Sequence, residues 1–321
     1  MTSTIVILGT GGTIAGTASN PLDNVGYTAA QRSVADLVAA VPALGRLDIE
    51  LAQVAQLDSK DMDHGTWQRL ALVAQRHLAR PEVAGLVITH GTDTLEETAG
   101  FLHHALAPAK PVVLTAAMRP ATALLADGPQ NLLDAVTLAG HPGAHGVLVA
   151  FAGRVHAATA VRKLHPYRLD AFGSGEAGPL ALLEEGRLRP LHALADWPRA
   201  TVPAQGWQAG DPQAWPWVEV VTSHAGAGGR AVAALVAAGV AGLVVAATGN
   251  GTVHGELQAA LDAAQAAGVV VWRCTRCAEG HLVSANPAHA GPAAAMSPWQ
   301  ARTALLLSLL SQRCAATGGG G

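Results

Sequence analysis

Hydroxyls, acids and an amine recur in this chain just after short apolar runs. Gly9-Thr-Gly-Gly-Thr-Ile-Ala-Gly16 sets Thr10 and Thr13 in a glycine-rich turn. Thr89-His-Gly-Thr-Asp-Thr-Leu-Glu-Glu97 sets Thr92 and Asp93 in a second such segment, and Leu57-Asp-Ser-Lys-Asp-Met62 forms a third, carrying Asp58, Ser59 and Lys60. Ala160-Val-Arg-Lys-Leu-His165 brings Lys163. A threonine hydroxyl attacks an acyl carbon when a base takes its proton and fixed donors hold the resulting oxyanion. Glycines such as Gly12 and Gly91 let backbone N–H groups come close to a substrate. A lysine drawn out of water beside Thr and Asp can accept a proton. The inventory suits nucleophilic acyl transfer. Plainer roles compete: Thr10 and Thr13 as turn-capping hydroxyls, Asp93 or Thr94 as a helix N-cap, Asp63 as another, and Lys163 as a solvated surface group.

Other chemistries fit less well. A dinucleotide fingerprint needs Gly at the first, third and sixth positions, and the sixth residue from Gly9 is Ile14. There is no Gly-Lys-Ser/Thr for a P-loop. Cys274-Thr-Arg-Cys277 with His281 is half of a zinc site at most, since a structural zinc takes four ligands and no second pair follows; no metal is expected. Three cysteines (Cys274, Cys277, Cys314) make no disulfide framework and favour a reducing compartment. His77, His103 and His104 fall on helical stretches and are expected to face solvent; His90 and His254 lie nearer strand ends and are not expected to act directly.

The elements that must hold these groups follow from periodicity. Apolar runs at Thr4–Leu8, Leu47–Gln53, Gly85–Thr89, Pro111–Thr115 and Gly146–Phe151 predict strands. Helical spacing predicts helices over Ala30–Val41, Thr66–Leu78, Thr94–Ala105 and Pro129–Ala139. Continuous Val/Ile/Leu strands between helices mean a parallel sheet covered on both faces. Such sheets bind ligands beyond the carboxyl ends of their strands, where the polar segments fall. After a Pro- and Trp-rich stretch the alternation resumes at Trp217–Thr222, 227–238, Gly242–Ala247, 254–267, Val269–Arg273 and 298–312. The expected organisation is an N-terminal catalytic α/β domain over 1–190, doubly wound around a mostly parallel sheet, a linker over 191–215, and a smaller α/β domain over 216–321. The apolar stretch from Ala231 to Thr252 is long enough for a membrane span. Its Gly-Val-Ala-Gly break at 239–242 instead suggests a buried helix followed by a buried strand. Half of the 321 residues are hydrophobic and only 13% are charged, so a large core is available. Twenty Lys+Arg against 23 Asp+Glu leave no basic excess for a nucleic-acid backbone. No basic leader precedes Ile5-Val-Ile-Leu8, which points to the cytoplasm.

These segments resemble the bacterial L-asparaginase family. The resemblance rests on Thr10-Gly-Gly-Thr-Ile-Ala-Gly16, Gly26-Tyr-Thr28, Asp58-Ser-Lys-Asp-Met62, His90-Gly-Thr-Asp-Thr-Leu-Glu-Glu97, Met118-Arg-Pro120, Ala126-Asp-Gly-Pro129 and Gly178-Pro-Leu180, in family order. Ala247-Thr-Gly-Asn-Gly-Thr252 extends it more loosely into the C-terminal part. The resemblance implies hydrolysis of the side-chain amide of L-asparagine to aspartate and ammonia, with a related amidase preferring glutamine or another small carboxamide as the alternative. It implies no metal or organic cofactor, and a homodimer or homotetramer with sites at the dimer interface. It makes Thr13 the nucleophile and Tyr27 its partner on a loop. Thr92, Asp93 and Lys163 form the second catalytic set. Ser59 holds the substrate α-carboxylate, with Gly12, Asp58 and Gly91 lining the site. Lys60 departs from the Gln or Glu common there and is expected to bind substrate by swinging to its α-carboxylate, with pointing to solvent as the alternative; Leu125 departs from a common Ser. Glu279 is the nearest counterpart of an acid that reaches a neighbouring subunit's site.

Overall fold

The structure, a computed structural model, describes residues 3–200, 202–283 and 291–318. It divides into two compact units, Met1–Pro203 and Ala204–Gly321. The division falls inside the Pro- and Trp-rich stretch, whose tryptophans are packed: Trp197 joins the first unit's core, and Trp207 and Trp215 are buried in the second.

In the first unit five parallel strands carry the sheet: β1 (Thr4–Gly11), β2 (Ile49–Leu57), β3 (Val83–Thr89), β4 (Val112–Thr115) and β5 (Val147–Phe151). Antiparallel strands β6 (Arg154–Ala157), β9 (Ala181–Glu184) and β10 (Arg187–Pro190) extend one edge, giving the order β10-β9-β6-β5-β4-β3-β1-β2. A two-stranded piece, β7 (Arg162–Lys163) with β8 (Phe172–Gly173), stands apart from it. These short pieces escape periodicity because two to four residues carry too little alternation to read. Strands β3, β4 and β5 are buried almost along their whole length, as apolar runs covered on both faces should be.

Helices α1 (Val34–Ala39), α2 (His64–Leu78), α3 (Leu95–Leu106) and α4 (Gly128–Ala139) cover the sheet. Ile5 and Ile7 of β1 share a core with Val34 and Leu37 of α1 and with Leu132 and Val136 of α4. Trp67 of α2 stacks on Phe101 of α3 with ring centroids 5.0 Å apart. α1 is shorter than the expected 30–41 helix. Ala30 takes a left-handed φ of 56°, and Ser33 and Asp36 close a capping box that starts the helix at Val34. The Asp63 side chain caps α2 by accepting from the Thr66 N–H, a bond worth ~1 kcal/mol. His103 is not solvent-facing as expected. It lies on the packed side of α3, buried, and burial followed by the neighbouring His104 pushes its pKa down to about 4. His77 and His104 are half-buried.

The second unit has a three-stranded parallel sheet, β11 (Val218–Thr222), β12 (Gly242–Ala247) and β13 (Val270–Thr275), in that order. Helices α5 (Arg230–Ala237), α6 (Gly255–Ala266) and α7 (Pro298–Gly318) accompany it. The 231–252 stretch does divide into helix and strand, and β12 is wholly buried. α5 is not: Val232 is its one buried residue, and most of its alanines are exposed. Alanine is apolar enough to mislead a hydropathy reading yet small enough to cost little when solvated. Among the described residues no helix is long and apolar enough to cross a membrane.

Candidate active site

The carboxyl ends of β1, β2 and β3 converge because the three strands are parallel neighbours. What brings their loops into contact is the absence of side chains. A Cβ on Gly12 would stand 2.3 Å from Gly91 Cα and N, and one on Gly91 would stand 2.4 Å from Ser59 Oγ. Gly12 also has φ 80°, in the left-handed region. Both glycines are therefore required twice over or by contact alone. The Gly12 N–H donates to Leu57 O at the end of β2 (2.9 Å). Thr10 Oγ1 donates to Thr89 O of β3 (2.9 Å). Of the two hydroxyls in the first turn, Thr10 is thus spent on structure.

Thr13 is not. It lies on a single 3-10 turn, Thr13–Ala15, and its buried Oγ1 is 2.6 Å from Tyr27 Oη. Tyr27 arrives on the 17–29 loop. A Thr17–Thr28 bridge closes that loop, and side-chain turns at Asn20 and Asp23 shape it. Residues 120–124 hold it from the side: Ala18 N–H donates to Thr122 Oγ1 (2.8 Å) and Leu124 N–H to Pro21 O (3.0 Å).

The second set is also assembled. Lys163 Nζ donates to Thr92 Oγ1 (2.9 Å) and pairs with Asp93 Oδ1 (2.6 Å). Neither Asp93 nor Thr94 caps α3 with its side chain. Thr94 Oγ1 donates instead to Ser59 O (2.8 Å), and the Asp93 N–H donates to Ser59 Oγ (3.2 Å). The buried Glu96 accepts the Lys163 backbone N–H at 2.6 Å, fixing the short strand β7 against the start of α3. Glu96 is also a first-turn acid of α3, and its sequence position carries no signal of a partner 67 residues away.

Lys60 neither reaches into the site nor stands free. Its exposed Nζ lies between Asp61 (2.9 Å) and Asp58 (3.2 Å), which hold the ammonium above the usual lysine range, Asp61 foremost. The lysine thus occupies one of the carboxylates expected to line the site. If Asp58 meets the ammonium of the asparagine that the resemblance implies, exchanging Lys60 for Gln frees that carboxylate, and KM should fall about two- to fivefold with kcat little altered. A rise in KM in steady-state ammonia assays would show that the lysine assists binding. Glu279 lies in the second unit, exposed in the segment after β13. Cys274 is buried and Cys277 exposed, and among the described residues no cluster of three or more His, Cys, Asp or Glu could hold a metal ion.

Comparison with known proteins places this geometry. Residues 4–194 match the model of the asparaginase N-terminal domain, and residues 217–316 that of the glutaminase/asparaginase C-terminal domain. The chain belongs to the asparaginase family. One relative in it is L-asparaginase 2 of Bacillus subtilis (strain 168), 34% identical over 95% of this chain and 82% of that protein. The glutaminase-asparaginase of Pseudomonas fluorescens biotype A is also 34% identical, over 88% and 78%. Among solved structures, that titled "Probable Cytoplasmic L-asparaginase from Campylobacter jejuni" superposes with a TM-score of 0.84 at 34% identity, covering 96% of this chain and 95% of that one. The family fold, a larger mostly parallel α/β domain followed by a smaller one, is the fold described above.

Proposed function

We propose that the chain hydrolyses the side-chain amide of L-asparagine to aspartate and ammonia, with Thr13 as nucleophile. The 2.6 Å contact between Thr13 Oγ1 and Tyr27 Oη carries this reading, because it supplies a proton acceptor at the attacking oxygen. Thr13 Oγ1 bonds to the amide carbon and passes its proton to Tyr27 Oη. As the C–N bond breaks, Tyr27 gives its own proton to the departing nitrogen, so ammonia leaves and a Thr13 ester remains. Water then cleaves the ester, its proton returning to Thr13 Oγ1. The Thr92 hydroxyl, polarised by Lys163 and Asp93, orients that water. The Thr92 backbone N–H is the proposed oxyanion donor. Ser59 and Asp58 take the α-carboxylate and α-ammonium ends, with Asp93 adding negative charge near the ammonium.

The same reading includes a homodimer or homotetramer, each site completed at the dimer interface by Glu279 of the partner subunit, and a cytoplasmic location. A panel of asparagine, glutamine and asparagine amide, assayed by ammonia release, tests the substrate. Asparagine should give the highest kcat/KM, and asparagine amide, which lacks the free carboxylate, should lose at least tenfold. A preference for glutamine or for an uncharged carboxamide would favour the alternative amidase.

A further inference from the structure

A chain of hydrogen bonds runs beneath the second loop. Trp67 Nε1 donates to Thr98 Oγ1 (2.8 Å), Thr98 Oγ1 lies 3.0 Å from His90 Nε2, and His90 Nδ1 lies 2.7 Å from Gly91 O. Every member is buried, His90 and Thr98 completely. The direction of each bond follows from the groups themselves. A carbonyl oxygen only accepts, so His90 Nδ1 carries a proton. Burial in this apolar setting holds the ring neutral, with a pKa pushed down to about 4, so Nε2 is the bare nitrogen. Nε2 therefore accepts the Thr98 hydroxyl proton, and Thr98 in turn accepts from the Trp67 indole.

We infer that His90 is a positioning residue: through its Nδ1–H it pins the Gly91 carbonyl inward and so aims the Thr92 N–H at the reacting oxygen. In a trans peptide the C=O and the following N–H point in opposite directions, and the described residues contain no cis bond. Holding the Gly91 carbonyl on the imidazole thus turns the Thr92 N–H away from it. Gly91 has no side chain to fix its own peptide planes, and it touches Gly12, equally bare, on the other side. Without an anchor this peptide is free to rotate at the point where the proposed mechanism needs a fixed dipole. Trp67 and Thr98, on two different helices, lock the imidazole tautomer from behind.

The inference rests on the asparaginase reading above, and three variants test it. His90→Asn keeps an N–H donor near the Nδ1 position. His90→Leu fills similar space without one. Thr98→Val removes the hydroxyl that fixes Nε2. Expected results are a kcat for asparagine lowered about 10- to 100-fold in His90→Leu with KM changed less than threefold, because a mis-aimed oxyanion donor is felt in the transition state. His90→Asn should recover most of kcat even if it melts lower than His90→Leu. Thr98→Val should lose a smaller, severalfold amount. In the wild type, nitrogen NMR of the ring should show Nδ1 protonated and Nε2 bare across neutral pH. A His90→Leu enzyme with wild-type kcat, kcat losses that track melting temperature across the three variants, or an Nε2-protonated ring would each overturn the inference while the wild type remains an active asparaginase. A wild type that releases no ammonia from asparagine overturns the functional reading itself and the inference with it.

Discussion

With Thr13 as the proposed nucleophile, Thr13→Ala should leave a folded protein that releases ammonia from asparagine on the order of 10⁴-fold more slowly, or not measurably. The two effects separate because the lost atoms are few and placed where chemistry, not packing, uses them. In the proposed mechanism, removing the hydroxyl ends covalent attack, and losing the nucleophile of a cooperating set costs at least this much in rate. Stability changes far less. Thr13 gives up its bond to Tyr27, net about 0.5–1.5 kcal/mol, and the alanine keeps Cβ on the same 3-10 turn. A shift of a few degrees in melting temperature is the expected cost. Circular dichroism melts beside ammonia assays check both halves. Near-normal turnover in a folded Thr13→Ala protein rules out the covalent threonine.

Lys163→Met and Thr92→Val should each reduce kcat by about 10²- to 10⁴-fold, and the double variant should be little worse than Lys163→Met alone. The reason is geometric: a single ammonium bonds both Thr92 Oγ1 and Asp93 Oδ1, so losing it disables the whole set. Stability again decides little. The Asp93 side chain is 54% exposed, and an ion pair with so wet an acid contributes about 1 kcal/mol or less. Methionine preserves the length of the lysine stem. Losses that multiply across the two variants would make Lys163 a structural residue with no part in Thr92 function.

Much of this site was legible before any fold was known. Strand-length apolar runs ending in Gly, Thr, Ser and Asp put Thr13, Ser59 and Thr92 at carboxyl ends of parallel strands, and all three are there, just beyond β1, β2 and β3. Residue type and spacing leave the role open where one residue has two uses available to it. Thr10 and Thr13 look alike in a glycine-rich turn, yet one bonds the neighbouring strand and the other meets a tyrosine. Asp93 and Thr94 look like helix caps; both are drawn off by residues remote in the chain, Lys163 and Ser59. His103 was expected on a wet face and is buried, whereas the alanines of α5 were expected inside and are mostly exposed.

The local code by itself determined the long strands β1–β5 and β11–β13, most of every helix but α1, and the glycines at the loop tips. Those depend on period, φ and the size of one side chain, all properties of neighbouring residues. Partnership across the chain was decided only by tertiary structure. Lys163 meets Thr92 at a separation of 71 positions along the chain, and Glu96 meets the Lys163 backbone at one of 67. Such a bond leaves no periodic trace, because what selects it is where the chain after β6 returns to set its short β7–β8 pair against the start of α3, not the spacing of the residues that make it. The tautomer of His90 is of the same kind: any histidine after a strand could carry its proton on either nitrogen, and a carbonyl on one side with a threonine and a tryptophan on the other choose which.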